Sequence, residues 1–466
     1  MFIKKKKEIL ILFIAFLITF LISKFYLNKF ENYNNYQSGN HPMIKSSVGN
    51  HWGEANLIIQ DLKSGKSVIK SGSYLEDEFL PPKLLAFYYL VTGQEMYQED
   101  LIKINNGKFF YLIIKNFFYY FLLFIFFQVY KNYISKKILY TIIIYLSFLP
   151  DIIQYLPTFW NESWTIIFQI LLLIFLFKIN FGVRHNFTIG VLSSLLYLTG
   201  QEYIFYPIIF MFYYFFLKIY YQKNILKISM SFLLGYFLIL SSSYLISSFK
   251  SNGQNENFYG IKSALYIYVV PNILTEKKKI SYIDAKNFMK KEASDWAKKN
   301  NLEIYNEKTG SLLLKFDKED YLGKKKYNNY IFIYSIKNIF INIHHALIYL
   351  FKKILHMMVL NPFFVHNYYE FESVGTFLKS EKHQSNIKIR LVYSIVFYSL
   401  ALYGFLRSLK IYKPEFIFLL SLLILYNIGI LGFLGTPRYF APCLIYMSFF
   451  FGPIFEKKNI RFYLTN

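Results

Sequence analysis

The sequence has little cysteine and little arginine, and both shortages limit its chemistry. Cys443 is the single cysteine among 466 residues, so neither an intramolecular disulfide nor a metal site built on several cysteines can form. Lysine and arginine outnumber aspartate and glutamate by 52 to 28, yet only five of the cations are arginine. P-loop, dinucleotide-binding and HExxH patterns are also absent, so nothing supports ATP hydrolysis, dinucleotide chemistry or zinc proteolysis.

Apolar residues are what the sequence has in excess. At 55% hydrophobic and 21% aromatic it is too apolar for a soluble chain of this length, and its apolar runs recur at lengths that suit a bilayer. The lysines fall mostly in short blocks beside these runs, as expected for cytoplasmic anchoring. The net charge of +24 therefore indicates membrane anchoring and not nucleic-acid binding. We predict an all-α polytopic membrane protein.

The lysine blocks predict ten spans with both termini in the cytoplasm. We expect the membrane to be a bacterial inner membrane. The first follows four lysines and is interpreted as a retained signal anchor, because it lacks a small-residue cleavage site. Residues 335–360 could form either an interfacial helix or a further crossing. The predicted spans are 8–28, 108–130, 138–157, 162–178, 187–200, 203–217, 228–249, 391–406, 415–434 and 439–455.

This topology divides the chain into five parts. The polar parts are expected on the outer side, and within the second of them residues 284–300 have apolar spacing that favours a helix lying at the surface. The parts are a signal-anchor helix (1–28), an extracytoplasmic catalytic loop (29–107), a transmembrane bundle (108–249), a second extracytoplasmic polar region with amphipathic helices (250–390) and C-terminal transmembrane helices (391–466).

Carboxylates are concentrated on the predicted outer face. Loop 29–107 holds nine acidic residues against seven lysines, although the chain as a whole is strongly basic. The topology also brings Glu54, Asp151, Glu162 and Glu202 to this face. Acids near membrane depth are costly unless they serve a polar cavity, although each could also be a solvated loop residue. Glu54 stands out because GNHWGEANLIIQDL predicts a short amphipathic helix that would hold it at the interface.

Two further features of the outer face have more than one interpretation. Glu76, Asp77 and Glu78 precede a helix that begins with two prolines, where acids are ordinary N-terminal residues, but the triplet could also hold a divalent cation as cofactor. Arg438 lies at the outward end of a span, where the positive-inside rule predicts no cation. It could bind a phosphate group with its guanidinium, or act as a snorkelling anchor.

Taken in order, these segments resemble the C-type glycosyltransferase (GT-C) superfamily, in the branch of protein O-mannosyltransferases and the lipid A aminoarabinose transferase. The first loop is similar in GEANLIIQDLKSG followed by LPPKLLAFYYLVTG. The third and fourth spans are similar in FLPDIIQYLPTFWNESWTIIFQILLL, and TPRYFAPCLIYMSFF resembles the family's Arg-Tyr-x-x-Pro segment. The likeness covers most of residues 1–250 and 415–455 and implies a GT-C-like bundle.

The resemblance implies transfer of a sugar from a polyprenyl-phosphate donor to a glycan, lipid or protein acceptor on the outer side. It places the catalytic loop acid at Glu54, with Asp61 as second candidate because Ala55 stands where relatives often have another acid. It places a further outward acid at Asp151 and the donor phosphate at Arg438. The alternatives are an O-antigen polymerase or ligase and a transporter or flippase of lipid-linked sugars.

Overall fold

The computed structural model describes thirteen stretches of the chain, and every regular element in them is helical. The predicted class, an all-α polytopic membrane protein, is confirmed, because five of the described helices are long and apolar enough to cross a membrane. The described residues are 7–31, 51–66, 80–93, 106–158, 161–176, 182–221, 225–250, 262–263, 265–303, 312–314, 321–360, 387–434 and 440–456.

Seventeen α-helices follow one another in the described stretches, with short 3-10 segments at Gln201–Phe205 and Gly452–Phe455 and a π-helical turn at Leu265–Val269. They are α1 (Lys7–Glu31), α2 (His51–Lys63), α3 (Leu80–Thr92), α4 (Asn106–Tyr130), α5 (Lys136–Phe148), α6 (Pro150–Ile153), α7 (Asn161–Leu176), α8 (Val183–Tyr197), α9 (Tyr206–Tyr221), α10 (Leu226–Lys250), α11 (Val270–Lys278), α12 (Tyr282–Lys299), α13 (Tyr321–Ile341), α14 (Ile343–Met358), α15 (Ile387–Ile411), α16 (Pro414–Leu434) and α17 (Ala441–Phe451).

The candidate spans coincide with predicted ones. They are Lys7–Phe25, Phe110–Tyr130, Tyr203–Tyr220, Leu226–Leu245 and Ile387–Ile411. Shorter apolar helices occur at α7, in α16 and from α17 to Phe455. The count of ten spans and the direction of each stay predictions.

The predicted span over 138–157 is divided in the structure. Helix α5 ends at Phe148, and Leu149 adopts an extended conformation with φ −65° and ψ 116° before Pro150 begins α6. Proline has no N–H for the preceding turn, and it disfavours the helical conformation in the residue before it. The break places Asp151 in the first turn of a four-residue helix.

Helices α8 and α10 pack with their backbones in close contact at two glycines. A Cβ atom on Gly190 would lie 2.1 Å from the carbonyl oxygen of Phe232, and one on Gly235 would lie 2.2 Å from that of Phe187. Small residues allow such close helix contacts in membranes. Both positions therefore require glycine.

A second, smaller core lies in the region between residues 265 and 341. The apolar face of α12 packs there against the π-helical turn, α11 and α13, so this helix does not simply lie at the surface as the periodicity predicts. Glu292 of this helix and Tyr334 of α13, which are hydrogen-bonded, lie 42 residues apart in sequence, a contact that the local pattern does not show. The buried members are Tyr266, Val270, Leu274, Ala285, Met289, Ala293, Ala297, Leu312, Leu314, Tyr327 and Ile331.

Candidate active site

Asp151 is a buried acid held between two distant parts of the chain. It is 5% exposed, and its Oδ2 accepts a hydrogen bond of 2.9 Å from the hydroxyl of Tyr393 on α15. Arg390 lies three residues before Tyr393 on the same helix and interacts electrostatically with Asp151. Helices α6 and α15 thus bring together a carboxylate, a phenol and a guanidinium.

Arg390 is itself buried, at 5% exposure, and it connects this acid to the chain that follows α14. Its Nε donates to the carbonyl oxygen of Leu360 at 3.3 Å, and its Nη2 donates to that of Val359 at 3.5 Å. The Leu360 N–H in turn donates to the Ser394 hydroxyl at 2.9 Å. The guanidinium is therefore oriented by backbone carbonyls as well as by the nearby acid.

Two more tyrosines surround Asp151, and their hydroxyl groups have no hydrogen-bond partner among the described residues. Tyr145 on α5 and Tyr398 on α15 are close enough to interact electrostatically with the carboxylate. Both hydroxyl oxygens are inaccessible to solvent and unpartnered in the part of the chain that is described. Buried polar groups are nearly always satisfied, so two exceptions beside one acid call for a polar ligand or bound water.

A second buried acid, Glu162, begins α7 and is 2% exposed. The segment before it is fixed by Lys115 of α4, whose Nζ donates to the Thr158 carbonyl oxygen and, at 2.9 Å, to the Ser163 hydroxyl. Lys115 is 2% exposed. It therefore joins the chain that leaves Asp151 to the start of the helix that carries Glu162.

The first loop packs against this same end of the bundle. The Leu80 N–H donates to the Leu198 carbonyl oxygen at 3.0 Å, which ties the start of α3 to the end of α8. The ring of Tyr88 on α3 lies 5.3 Å from that of Tyr111, and the Tyr111 hydroxyl accepts a bond of 3.1 Å from Trp164, two residues beyond Glu162. Helix α3 therefore packs near the start of α7, and the meeting of the first loop with an outward turn stays a prediction.

Of the other candidate acids, the structure describes the side chains of only some. Glu54 lies on α2, but its side chain is outside the described residues, and the same holds for Glu202 on the 3-10 segment at Gln201–Phe205. Asp61 forms a surface ion pair of 2.6 Å with Lys66. Helix α2 packs against α3, and its Ile58 and Ile59 are buried, so its apolar face packs partly on protein. Arg438, Glu76, Asp77 and Glu78 lie outside the described residues.

No group of three or more histidine, cysteine, aspartate and glutamate side chains is arranged to hold a metal ion in the described stretches. The acidic triplet Glu76, Asp77 and Glu78, for which the sequence leaves a divalent cation open, is outside them.

Sequence reasoning missed Arg390. The predicted span starts one residue after it, and the argument that singled out Arg438 as a cation at an outward end applies equally to Arg390. That signal was available. The roles of Tyr145, Tyr393 and Tyr398 had no sequence signal, since 44 tyrosines are spread along the chain.

No family model matches the sequence, and no curated protein matches it. The structure is similar to an archaeal oligosaccharyltransferase, AglB from Archaeoglobus fulgidus, solved in complex with an inhibitory peptide and a dolichol-phosphate. The match has a TM-score of 0.44 and 13% identity, and covers 97% of this chain and 50% of AglB. The chain thus spans half the length of that enzyme, and a likeness this distant assigns it neither a family nor an activity.

Proposed function

We propose that the protein is a membrane glycosyltransferase of the C-type class, which transfers a sugar from a polyprenyl-phosphate donor to an acceptor at the extracytoplasmic face. The observation that carries the proposal is the buried Asp151, which interacts electrostatically with Arg390 and lies near two tyrosine hydroxyls that have no hydrogen-bond partner among the residues that the structure describes. An acid, a phosphate-binding cation and groups that hydrogen-bond to sugar hydroxyls are the three elements that this transfer needs.

Asp151 is the proposed general base. The acceptor hydroxyl oxygen attacks the anomeric carbon, the carboxylate takes the hydroxyl proton, and the bond from the anomeric carbon to the phosphate oxygen breaks with its electron pair. Tyr393 holds Oδ2 and thereby fixes the orientation of the carboxylate. The products are the glycosylated acceptor and polyprenyl phosphate, and no nucleotide takes part.

The leaving phosphate gains negative charge in the transition state, so a fixed cation near it lowers the barrier. Arg390 is the proposed cation, and Arg438 is the second candidate. Arginine binds a phosphate in a two-pronged manner, which suits a guanidinium to this role.

In the proposed domain organisation, the first loop covers this site. Its α3 is tied to the end of α8, and Tyr88 contacts the aromatic pair of Tyr111 and Trp164 at the start of α7. Glu54 on α2 is the rival base. The outward direction of this end is part of the proposal and follows from the lysine blocks at the opposite turns.

Deletion of the gene in its host tests the proposal, with surface glycans, glycolipids and the leaflet location of lipid-linked sugars as measurements. A transferase defect removes one sugar from the surface and leaves its donor in the outer leaflet, and wild-type protein restores the sugar where Asp151→Asn does not. A donor confined to the inner leaflet would identify a flippase, and unchanged glycans would exclude both functions.

A further inference from the structure

Helix α14 turns an apolar face away from the protein. Its opposite face is buried, with Ala346 and Tyr349 packed against Val269 and Ile273. The outward residues have a spacing that puts them on one side of an amphipathic helix. His344 lies on the same side. The large apolar side chains on that face, with their exposed fractions, are Ile343 (48%), Leu347 (57%), Ile348 (43%), Phe351 (63%) and Leu355 (50%).

The geometry of α14 excludes a simple crossing of the bilayer. The helix is bent by 94° from α13 at a break after Ile341, so the two helices do not form one straight span. Its own 16 residues extend about 24 Å, less than the roughly 30 Å of a hydrocarbon core. A crossing would also carry charged side chains of α14 into the hydrocarbon.

Those charges are directed to the protein and to water. Lys352 pairs with Glu276 of α11 at 2.5 Å. The Lys352 side chain is 58% exposed and the Glu276 side chain is 30% exposed. Lys353 lies over the ring of Tyr349, 5.7 Å from its centre. A half-exposed ion pair requires water, while the neighbouring apolar face requires a medium without it. The boundary between headgroups and acyl chains meets both requirements.

The position of α14 in the fold favours lipid as the occupant of its outward face. It packs against α16, one of the apolar helices of the bundle, and so it lies beside the part of the protein that a bilayer surrounds. The exposed apolar surface continues onto the end of α13, where Phe340 and Ile341 are 70% and 62% exposed. An apolar surface of this extent marks an interaction site.

We propose that α14 lies in the membrane–water interface, with its apolar face in the acyl chains of one leaflet and the pair of Lys352 and Glu276 at the headgroups. The helix then anchors the second core to the membrane surface. Two residues beyond its end, the Leu360 carbonyl oxygen accepts a bond from Arg390, so the depth of the helix also sets the position of that guanidinium.

Spin labels on single introduced cysteines test this placement in the full protein, reconstituted in phosphatidylethanolamine and phosphatidylglycerol vesicles. Wild-type protein is the labelling blank, because Cys443 is buried. The variants Ile343→Cys, Phe351→Cys and Leu355→Cys report on α14. Control labels are Ile283→Cys, which is 69% exposed on α12, and Leu234→Cys, which is 65% exposed in the candidate span of α10.

The α14 labels should collide with oxygen more than with a water-soluble nickel complex and share one shallow depth, about 5–10 Å below the headgroups. The Ile283→Cys label should collide more with the nickel complex than with oxygen. The Leu234→Cys label should collide more with oxygen, as expected for a residue within a membrane span. Three outcomes would overturn the proposal. These are nickel access at α14 equal to that of Ile283→Cys, a depth change of about 18 Å between positions 343 and 355, or protection from both reagents.

Discussion

Two buried basic residues, Lys115 on α4 and Arg390 on α15, have different surroundings. Lys115 donates to the Thr158 carbonyl and the Ser163 hydroxyl, and Arg390 donates to the Leu360 and Val359 carbonyls. Arg390 in addition interacts electrostatically with the Asp151 carboxylate, near two tyrosine hydroxyls that have no hydrogen-bond partner in the described part of the chain. The contrast teaches that a buried charge does not by itself indicate a site. We assign a structural role to Lys115 and a role in substrate binding to Arg390.

The largest expected effect comes from Asp151→Asn. The variant keeps the shape of the side chain and loses the ability to take a proton, so transfer should fall by about 10²–10⁴-fold while the protein stays folded. Transfer per folded molecule, with folding checked by size-exclusion chromatography and circular dichroism, measures it. Asp295→Asn is the matched control, because Asp295 is exposed on α12, away from the proposed site.

Glu54→Gln tests the rival assignment, in which the general base is Glu54 and not Asp151. If Glu54→Gln abolishes transfer and Asp151→Asn transfers sugar normally, the general base lies in the first loop and the role proposed for Asp151 is wrong. If Asp61→Asn alone abolishes it, the base lies two helical turns further along α2.

Lys115→Met should lower stability more than it lowers turnover. It deprives the Thr158 carbonyl and the Ser163 hydroxyl of a donor, and each buried group left unsatisfied costs about 1–3 kcal/mol. Thermal unfolding in detergent should shift to lower temperature, while the folded fraction keeps more activity than Asp151→Asn. Lys352→Met removes a surface cation and is the control. An unchanged unfolding temperature would contradict the structural role of Lys115.

Local signals in the sequence predicted several of the helices, but they did not predict the contacts that form the candidate site. The Pro-Pro segment predicted α3, and the lysine blocks gave the order of spans. The break at Pro150 was overlooked because the apolar run continues through it, although the proline is visible in the sequence. The pairing of Asp151 with Tyr393 spans 242 residues, and no periodicity within either segment encodes a contact at that separation.

The second core shows the same limit. The apolar spacing of residues 284–300 correctly predicted a helix, but its partners in α11 and α13 decide whether that face meets water, lipid or protein. For α14, too, the sequence left two interpretations open. The bend of 94° and the ion pair with Glu276 favour one of them, and both are tertiary features.

Tyr398→Phe should produce the smallest effect. Its hydroxyl has no partner among the described residues, so removing it leaves stability unchanged. If the hydroxyl binds a sugar hydroxyl, transfer should fall by about 2–12-fold, the value of one neutral hydrogen bond. Tyr119→Phe is the control, since its hydroxyl donates to the Leu146 carbonyl at 2.8 Å and its loss should affect stability without affecting transfer. Equal transfer in wild type and Tyr398→Phe would remove this residue from the site.

Binding of polyprenyl phosphate, without its sugar, tests the central claim most directly because it requires neither the donor sugar nor the acceptor to be known. The account predicts that Arg390→Lys, which keeps the charge and loses the two-pronged geometry, weakens binding by about 10–100-fold, with Arg438→Lys showing whether a second guanidinium contributes. Lys115→Met, measured on folded protein, should bind as wild type does. Equal affinity in wild type and Arg390→Lys, or a loss confined to Lys115→Met, would contradict the placement of the donor site beside Asp151.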